Sequence, residues 1–232
     1  YYIGDPAKID DMVSGRQQQI VNLIRQLLLK RFESSIEAFA ETCIRIYARL
    51  RKFLNDYQDY GNRKQIDRLM NIQFDVSEYV DRFIIENIDT SVEDLEDDLP
   101  KYVWETEEHI NVEDFDIRAM IDDTILDMEV LAEFIEDIME FDSSNDDKIR
   151  ELKRILREDP HVVGKKVIIF SEYRATAKYI YRELVKDGFE KIEETDGQSK
   201  GNRYDLVQRF APYYNDKTSD DIKDEINILI AT

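Results

Sequence analysis

The spacing of the hydrophobic residues changes once along this chain, near Asp146, and that change constrains the fold more than any other feature. Before it, one long series recurs every three or four positions: Ile36, Phe39, Cys43, Ile46, Leu50, Phe53 and Tyr57. Spacings that alternate between 3 and 4 average 3.5, which is typical of a coiled-coil seam. After Asp146, short apolar runs alternate with amphipathic stretches, as in a parallel sheet with crossover helices.

Further helical stripes lie in the first part of the chain. One runs through Ile20, Leu23, Ile24, Leu27 and Leu28, and another through Ile121, Ile125, Met128, Leu131, Ile135 and Ile138. We expect Asn111 or Asp114 to cap the second of these helices, and Val76–Ile88 to form a helix between them. Gly61-Asn62 and the polar stretch Phe141–Asp146 predict breaks. The stripes together favour a helical hairpin or small bundle.

The second part predicts an α/β arrangement. Buried-type strands are expected at Val167–Phe170, Ile192–Thr195 and Ile226–Ala231. Helices are expected at Asp147–Arg157, at Thr176–Asp187 with Gly188 at its end, and from Gly201 or Asn202 to Phe210. We therefore predict a fold that is α/β plus all-α, with the strands parallel in one sheet.

Charge is concentrated in one segment. Phe74–Asp147 holds 27 acidic and 3 basic residues, a net charge of −24, whereas the whole chain carries −20. The total therefore says little about what the flanking parts bind. The acidic segment is interpreted as a solvated charged face over an apolar stripe, as a docking surface for a basic protein, or as a flap that competes with nucleic acid. Trp104 and His109 belong either to such a surface or to the core.

Several classes of protein and site are disfavoured by composition. The single cysteine, Cys43, cannot form an internal disulfide, and one cysteine with two histidines cannot build the usual zinc sites. The longest apolar runs are four or five residues, too short for a transmembrane helix or a signal peptide. We expect a soluble, cytoplasmic protein without a metal site.

Polar residues follow each predicted strand, where parallel α/β sheets place their binding sites. Ser171, Tyr173 and Arg174 follow the first strand, Gly197 the second and Thr232 the third. Ser171 and Thr176 lie near a helix N-terminus, where backbone N–H groups favour an anion such as phosphate, and Arg174 adds a positive charge. The alternative is that Thr176 only caps its helix and Arg174 is solvated.

Four separate pieces of the sequence resemble superfamily 2 helicases, in the branch of the Swi/Snf-like and bacterial RapA-like translocases. Lys166–Ile180 looks like motif IV, and Ile228–Thr232 looks like the start of motif V. Asp196-Gly197 followed by Arg203 and Phe210 is similar to the glycine and arginine-helix stretch of the family, and Leu28–Phe39 resembles the helix that leads into the second lobe. The resemblance covers about Arg16–Phe39 and Lys165–Thr232.

The resemblance implies an incomplete second RecA-like lobe with a long helical acidic insertion. It also implies that the strands Val167–Phe170 and Ile226–Ala231 are neighbours in one parallel sheet. Residues 1–40 would lead into the lobe, 41–146 would be the insertion, and 147–232 would be the lobe from motif IV to the start of motif V. Implied contacts with the nucleic-acid backbone come from Ser171, Tyr173, Arg174 and Gly197. Arg203 is either a phosphate contact or part of a packing ion pair. Thr232 is either a backbone contact or a link to the nucleotide cleft.

The elements that hydrolyse ATP in this family do not occur in the sequence. There is no GxxxxGK[ST] phosphate loop, no DExH-type motif after a strand and no motif VI arginine. We therefore expect ATP and Mg²⁺ in a complete enzyme, none bound to this part, and no catalytic residue here. The implied partners are nucleic acid, with DNA the expected kind, and the first RecA-like lobe. A basic protein partner at the acidic insertion is a further expectation, and no membrane is expected.

Two rival functions stay open. In the first, the acidic helical arm is the working part, as an interaction or regulatory module, and the α/β part is its platform. In the second, the α/β part is an unrelated flavodoxin-like or nucleotide-binding domain. The second is disfavoured because no glycine-rich phosphate turn follows any predicted strand.

Overall fold

The computed structural model describes residues 1–3, 11–87, 112–195, 203–215 and 224–232, with the backbone alone at 11–20, 87, 203 and 215. These residues are mostly helical and include one small parallel sheet. The chain divides into two compact units. The helical unit comprises Tyr1–Glu33 and Phe39–Glu140, and the α/β unit comprises Ser34–Ala38 and Phe141–Thr232.

The helical unit is built from five described helices: α1 (Asp11–Ser34), α2 (Ile36–Tyr57), α3 (Arg63–Ile72), α4 (Phe74–Asn87) and α5 (Ile117–Met139). The predicted stripe on α5 is confirmed, since Ile121, Ile125, Met128, Leu131 and Ile135 are all buried. Among the described helices, none is long and apolar enough to span a bilayer.

The buried face of α2 differs from the predicted seam. Its residues in the core are Cys43, Ile44, Tyr47 and Leu54, whereas the other seam residues are only half-buried. A seam with a period of 3.5 faces one partner helix, but α2 contributes to a core shared with α3, α4 and α5, which buries a different side. The helices therefore pack as a small bundle.

Buried polar groups join these helices. The Tyr47 hydroxyl donates to Oε1 of Gln73 at 2.9 Å and lies 3.0 Å from Oγ of Ser77. Gln73, at the end of α3, donates through Nε2 to the Met128 carbonyl oxygen at 3.2 Å. Burial raises the pKa of Tyr47. Each buried polar atom in this set has a partner, so the network fixes α2, α3, α4 and α5 in one arrangement.

The caps of two helices are set by aspartates. Asp116 caps α5 by accepting the Ala119 N–H at 3.0 Å. The predicted cap was therefore wrong at Asp114, and Asn111 lies outside the described residues, as do Trp104 and His109. Asp146 caps the helix α6 (Asp147–Glu158) by accepting the N–H groups of Lys148 and Ile149.

The α/β unit contains the predicted parallel sheet. Its strands β1 (Val167–Phe170), β2 (Ile192–Thr195) and β3 (Ile228–Ala231) lie in the order β1-β3-β2. The first and last strands are parallel neighbours, with Val167 opposite Ile228 and Phe170 opposite Ala231, as predicted. The third strand begins at Ile228 and not at Ile226, because Lys191 accepts the N–H groups of both Asn227 and Ile228 before the regular ladder starts.

One face of the sheet carries the core of this unit. Ile228 and Ile230 pack with Leu156 of α6 and with Ala177 and Leu184 of α7 (Arg174–Lys186). On the opposite face of β1, Ile168 and Phe170 are exposed. The helix α8 (Arg203–Phe210) connects β2 to β3 in the chain.

Residues 34–38 complete the α/β unit from far away in the sequence. The Ser35 hydroxyl accepts the Ala38 N–H at 3.1 Å and lies 2.7 Å from the Thr176 hydroxyl of α7. The Ser34 hydroxyl lies 2.8 Å from the same oxygen. Arg182 of α7 donates to Glu37 at 2.5 Å. These contacts fasten the start of α2 to α7.

Candidate functional site

The carboxyl ends of the strands meet at one edge of the sheet. Phe170, Ala231 and Thr195 are in register, so the residues that follow β1 and β3 lie beside each other. The Ser171 N–H donates to the Ala231 carbonyl at 2.9 Å, and the Thr232 N–H donates to the Thr195 carbonyl at 3.2 Å. The structure thus brings together all three strand ends predicted to form the site, although the residues directly after β2 lie outside the described part of the chain.

The turn after β1 is organised by the Ser171 hydroxyl. Its oxygen accepts the Tyr173 N–H at 3.2 Å and donates its proton to the Tyr173 carbonyl at 3.1 Å. Tyr173 has an extended backbone and precedes α7 as its N-cap residue. This local bonding lets α7 start at Arg174, two residues before the predicted Thr176, and sets the N-terminus of α7 at the carboxyl edge.

The side chains of this turn differ in what they can present to a ligand. Tyr173 is only 5% exposed, so its side chain is not accessible to a ligand at this edge. Thr176 is 6% exposed, and its hydroxyl is hydrogen-bonded to the hydroxyls of Ser34 and Ser35. The predicted role of Thr176 as a helix cap is wrong, because Tyr173 is the N-cap residue of α7. The role of Thr176 as a phosphate ligand stays a prediction. Arg174, the first residue of α7, is half-buried.

The remaining predicted site residues are placed as follows. Thr232 is exposed at the end of β3. Gly197 lies outside the described residues, and only the backbone of Arg203 is described, at the first position of α8. The described part of the site thus consists of Ser171, Tyr173, Arg174 and Thr232.

Sequence reasoning missed a charged cavity at the opposite, amino-terminal edge of the sheet. It has a volume of about 380 Å³, and its lining includes Lys191, Ile192, Glu193, Arg209, Glu225 and Ile226. The signal available in the sequence was the charged residues near the starts of β2 and β3: Lys191 and Glu193 flank Ile192, and Asp224 and Glu225 precede Ile226.

The cations of this cavity contact acids within it. Arg209 lies 2.8 Å from Glu193, and Lys191 lies 3.7 Å from Glu225. Lys166 also hydrogen-bonds Glu225 at 2.7 Å and thereby holds the pKa of that carboxyl below its usual value. Because the charges neutralise one another, the cavity is better explained as ionic packing around the strand starts than as a site for a charged ligand.

Neither a metal site nor a reactive cysteine is indicated in the described part of the chain. No group of three or more His, Cys, Asp or Glu residues is placed there to hold a metal ion. The Cys43 thiol is fully buried, and burial raises its pKa to about 12. A thiol with so high a pKa is not a nucleophile at neutral pH. The carboxyl edge therefore stays the candidate site.

Comparison of this chain with models of protein families, with curated protein sequences and with solved structures found no match.

Proposed function

We propose that this chain is part of an ATP-dependent nucleic-acid translocase of the Swi/Snf-like kind and supplies its second, RecA-like motor lobe. The observation that carries the proposal is the in-register parallel pairing of β1 with β3, which supports one shared edge for Ser171–Arg174 and Thr232. In such sheets the carboxyl edge is where ligands bind. Residues 147–232 would be the lobe, 1–40 the segment leading into it and 41–146 a helical insertion.

At this edge, contact with the nucleic-acid backbone would depend on main-chain groups and one cation. The N-terminus of α7 favours an anion, because its first N–H groups have no acceptor within the helix. Arg174 starts that helix and adds a positive charge. Gly197 and Arg203 are proposed to extend the same surface. Contacts of this kind hold phosphates in place without reading base sequence.

ATP and Mg²⁺ would be bound by the complete enzyme and not by this part alone. Hydrolysis needs a phosphate cradle, a Mg²⁺ ligand and a stabilising arginine, and the sequence contains no motif for any of these. The role proposed for the described residues is therefore to hold nucleic acid while the opposing lobe supplies the nucleotide chemistry.

The proposal is tested by binding of the 232-residue chain to labelled duplex DNA over a range of salt concentrations. Arg174→Ala should weaken binding and lower the slope of log affinity against log salt by about one unit, because one phosphate contact is lost. The matched control is Arg150→Ala in α6. The Arg150 side chain is 65% exposed and forms an ion pair with Asp147.

An equal salt slope for Arg174→Ala and the unchanged chain would remove Arg174 from the interface. A chain that does not bind DNA or RNA at low salt would contradict the proposal as a whole. Equal losses in the two arginine variants would indicate a general charge effect in place of a site.

A further inference from the structure

The helix α5 carries a second apolar stripe on the side away from its buried face. Leu126, Val130 and Phe134 are 58%, 53% and 45% exposed and are spaced four residues apart. Residues at that spacing lie on one side of a helix, and this set spans about 12 Å along its axis. The buried stripe through Ile121, Ile125 and Met128 already fixes α5 in the core, and about half of each of the three side chains in the second stripe stays exposed.

The stripe continues onto α1 through a chain of aromatic contacts. The Phe134 ring meets Phe39 edge to face at 5.8 Å, and Phe39 meets Phe32 in the same manner at 5.2 Å. Phe32 is 58% exposed, and Leu29, on the preceding turn, is 57% exposed. We call these six residues, five exposed and Phe39 half-buried, the apolar strip. Contiguous exposed apolar surface of this kind marks interaction sites in soluble proteins.

Acidic residues border the part of the strip on α5. From Ile117 to Met139 the only basic residue is Arg118, and the acidic residues are Asp122, Asp123, Asp127, Glu129, Glu133, Glu136 and Asp137. Partial burial and the neighbouring charge of Asp123 raise the pKa of Asp127, so the negative charges act on one another. The part of the surface on α5 therefore combines an apolar centre with a rim that favours cations.

This combination selects one kind of occupant. A second copy docked strip against strip would bring two acidic rims together, and like charges across an interface oppose association. An amphipathic helix with apolar residues four apart, flanked by lysine or arginine, matches both the spacing and the charge. We propose that the apolar strip docks a basic amphipathic helix of a partner protein. This inference is independent of the motor function proposed above.

The test uses a defined probe, a synthetic peptide of about 18 residues with leucines four apart and lysines beside them. Its binding to the 232-residue chain is measured by fluorescence anisotropy. A second peptide has the same composition, with the leucines rearranged so that they share no helical face. We expect the rearranged peptide to bind about ten-fold more weakly, because it keeps the charge but loses the apolar match.

Variants of the protein locate the site. Leu126→Ser and Val130→Ser should each weaken binding of the amphipathic peptide about ten-fold, since each removes apolar contact without changing charge. Ile85→Ser on α4, which alters a side chain that is 83% exposed, should leave the affinity unchanged. Both strip residues are exposed, so circular dichroism should show the same helical content in all variants.

Three results would overturn the proposal. The first is no measurable binding of the amphipathic peptide, and the second is equal binding of both peptides, which would show attraction by charge alone. The third is unchanged affinity in Leu126→Ser and Val130→Ser. Self-association of the chain that Val130→Ser abolishes, seen by analytical ultracentrifugation, would identify a second copy as the occupant and would also contradict it.

Discussion

Asp123 and Asp127 lie one helical turn apart on α5, and their repulsion has a measurable consequence. Asp127 has a pKa raised by partial burial and by the charge of Asp123. We expect Asp127→Asn to increase the free energy of unfolding at pH 7 by about 0.3 kcal/mol, a small gain because the pair is exposed to solvent. Urea denaturation followed by circular dichroism measures it.

The pH dependence of that gain has a definite sign. A pKa raised in the native state means that the folded protein binds the proton more readily than the unfolded chain. The destabilisation is therefore present above the native pKa of Asp127 and is relieved as the pH falls through it. Asp122→Asn is the matched control, because Asp122 lies four residues after Arg118 and gains from its charge. Equal gains in both variants would rule out the pair as the cause.

For individual residues, the sequence predicts which side chains are buried better than it predicts their hydrogen-bond partners. The buried stripe of α5 could be read from spacing because every member faces the same side of one helix. The hydrogen bonds of Thr176 could not be predicted from spacing, because its hydroxyl partners, Ser34 and Ser35, lie about 140 residues earlier in the chain. The Ser171 hydroxyl and its bonds to Tyr173 depend on a turn geometry that the residue types alone leave open.

Two glycines end or join elements for different physical reasons. Gly188 follows α7 with φ +84°, and nothing lies within 4 Å of where a side chain would start. The Phe189 N–H bonds the Leu184 carbonyl and the Gly188 N–H bonds the Val185 carbonyl, which is the Schellman pattern. Gly61 before α3 has φ −105°, but a Cβ there would lie 2.9 Å from Cγ2 of Ile121.

These two causes predict opposite orders of tolerance. At Gly188 alanine should destabilise by about 1 kcal/mol and asparagine by less, since asparagine accepts the left-handed region more readily. At Gly61 alanine should destabilise by about 1–3 kcal/mol and asparagine by more, because the limit there is space. Chemical denaturation of the four variants measures both orders, and the same order at both sites would contradict this explanation.

Element boundaries show where local patterns stop being sufficient. The strands β1 and β2 match their predicted bounds, since each is a short run flanked by polar residues. The strand β3 begins two residues later than expected because Lys191, with φ 57°, accepts two N–H groups at that point. Such a long-range bond leaves no local signal.

For the whole molecule, residues 34–38 are the point where separate parts of the chain meet. Ser35 has two roles, as the acceptor for the Ala38 N–H at the start of α2 and as a partner of Thr176. Ser35→Ala should therefore lower the free energy of unfolding by about 1–2 kcal/mol. Ser34→Ala, the matched control, removes one contact to Thr176 and should have a smaller effect, about 0.5–1 kcal/mol. Thermal unfolding of both variants provides the comparison, and equal losses would exclude the double role of Ser35.

The general layout could be predicted from the sequence because helical and strand patterns occupy different parts of the chain. The adjacency of β1 and β3 was expected from the resemblance to a motor lobe, because the rules for parallel sheets alone favour pairing of consecutive strands. Two features could not be predicted. The distribution of buried residues on α2 depends on several helices at once, and the membership of residues 34–38 in the α/β unit depends on contacts that no local pattern encodes.

The α/β unit is formed by two separate segments of the chain, so it can be completed only after the second segment has left the ribosome. Ser35 is synthesised 141 residues before Thr176, so Thr176 has not yet been made when Ser35 leaves the ribosomal exit tunnel. Helices rich in local contacts form quickly, and the described helices α2 to α5 have time to do so during translation. β1 must wait for its neighbour β3, Ile228–Ala231. A ribosome stalled before that point would hold β1 with an unpaired edge, and such a nascent chain is suited to chaperone capture.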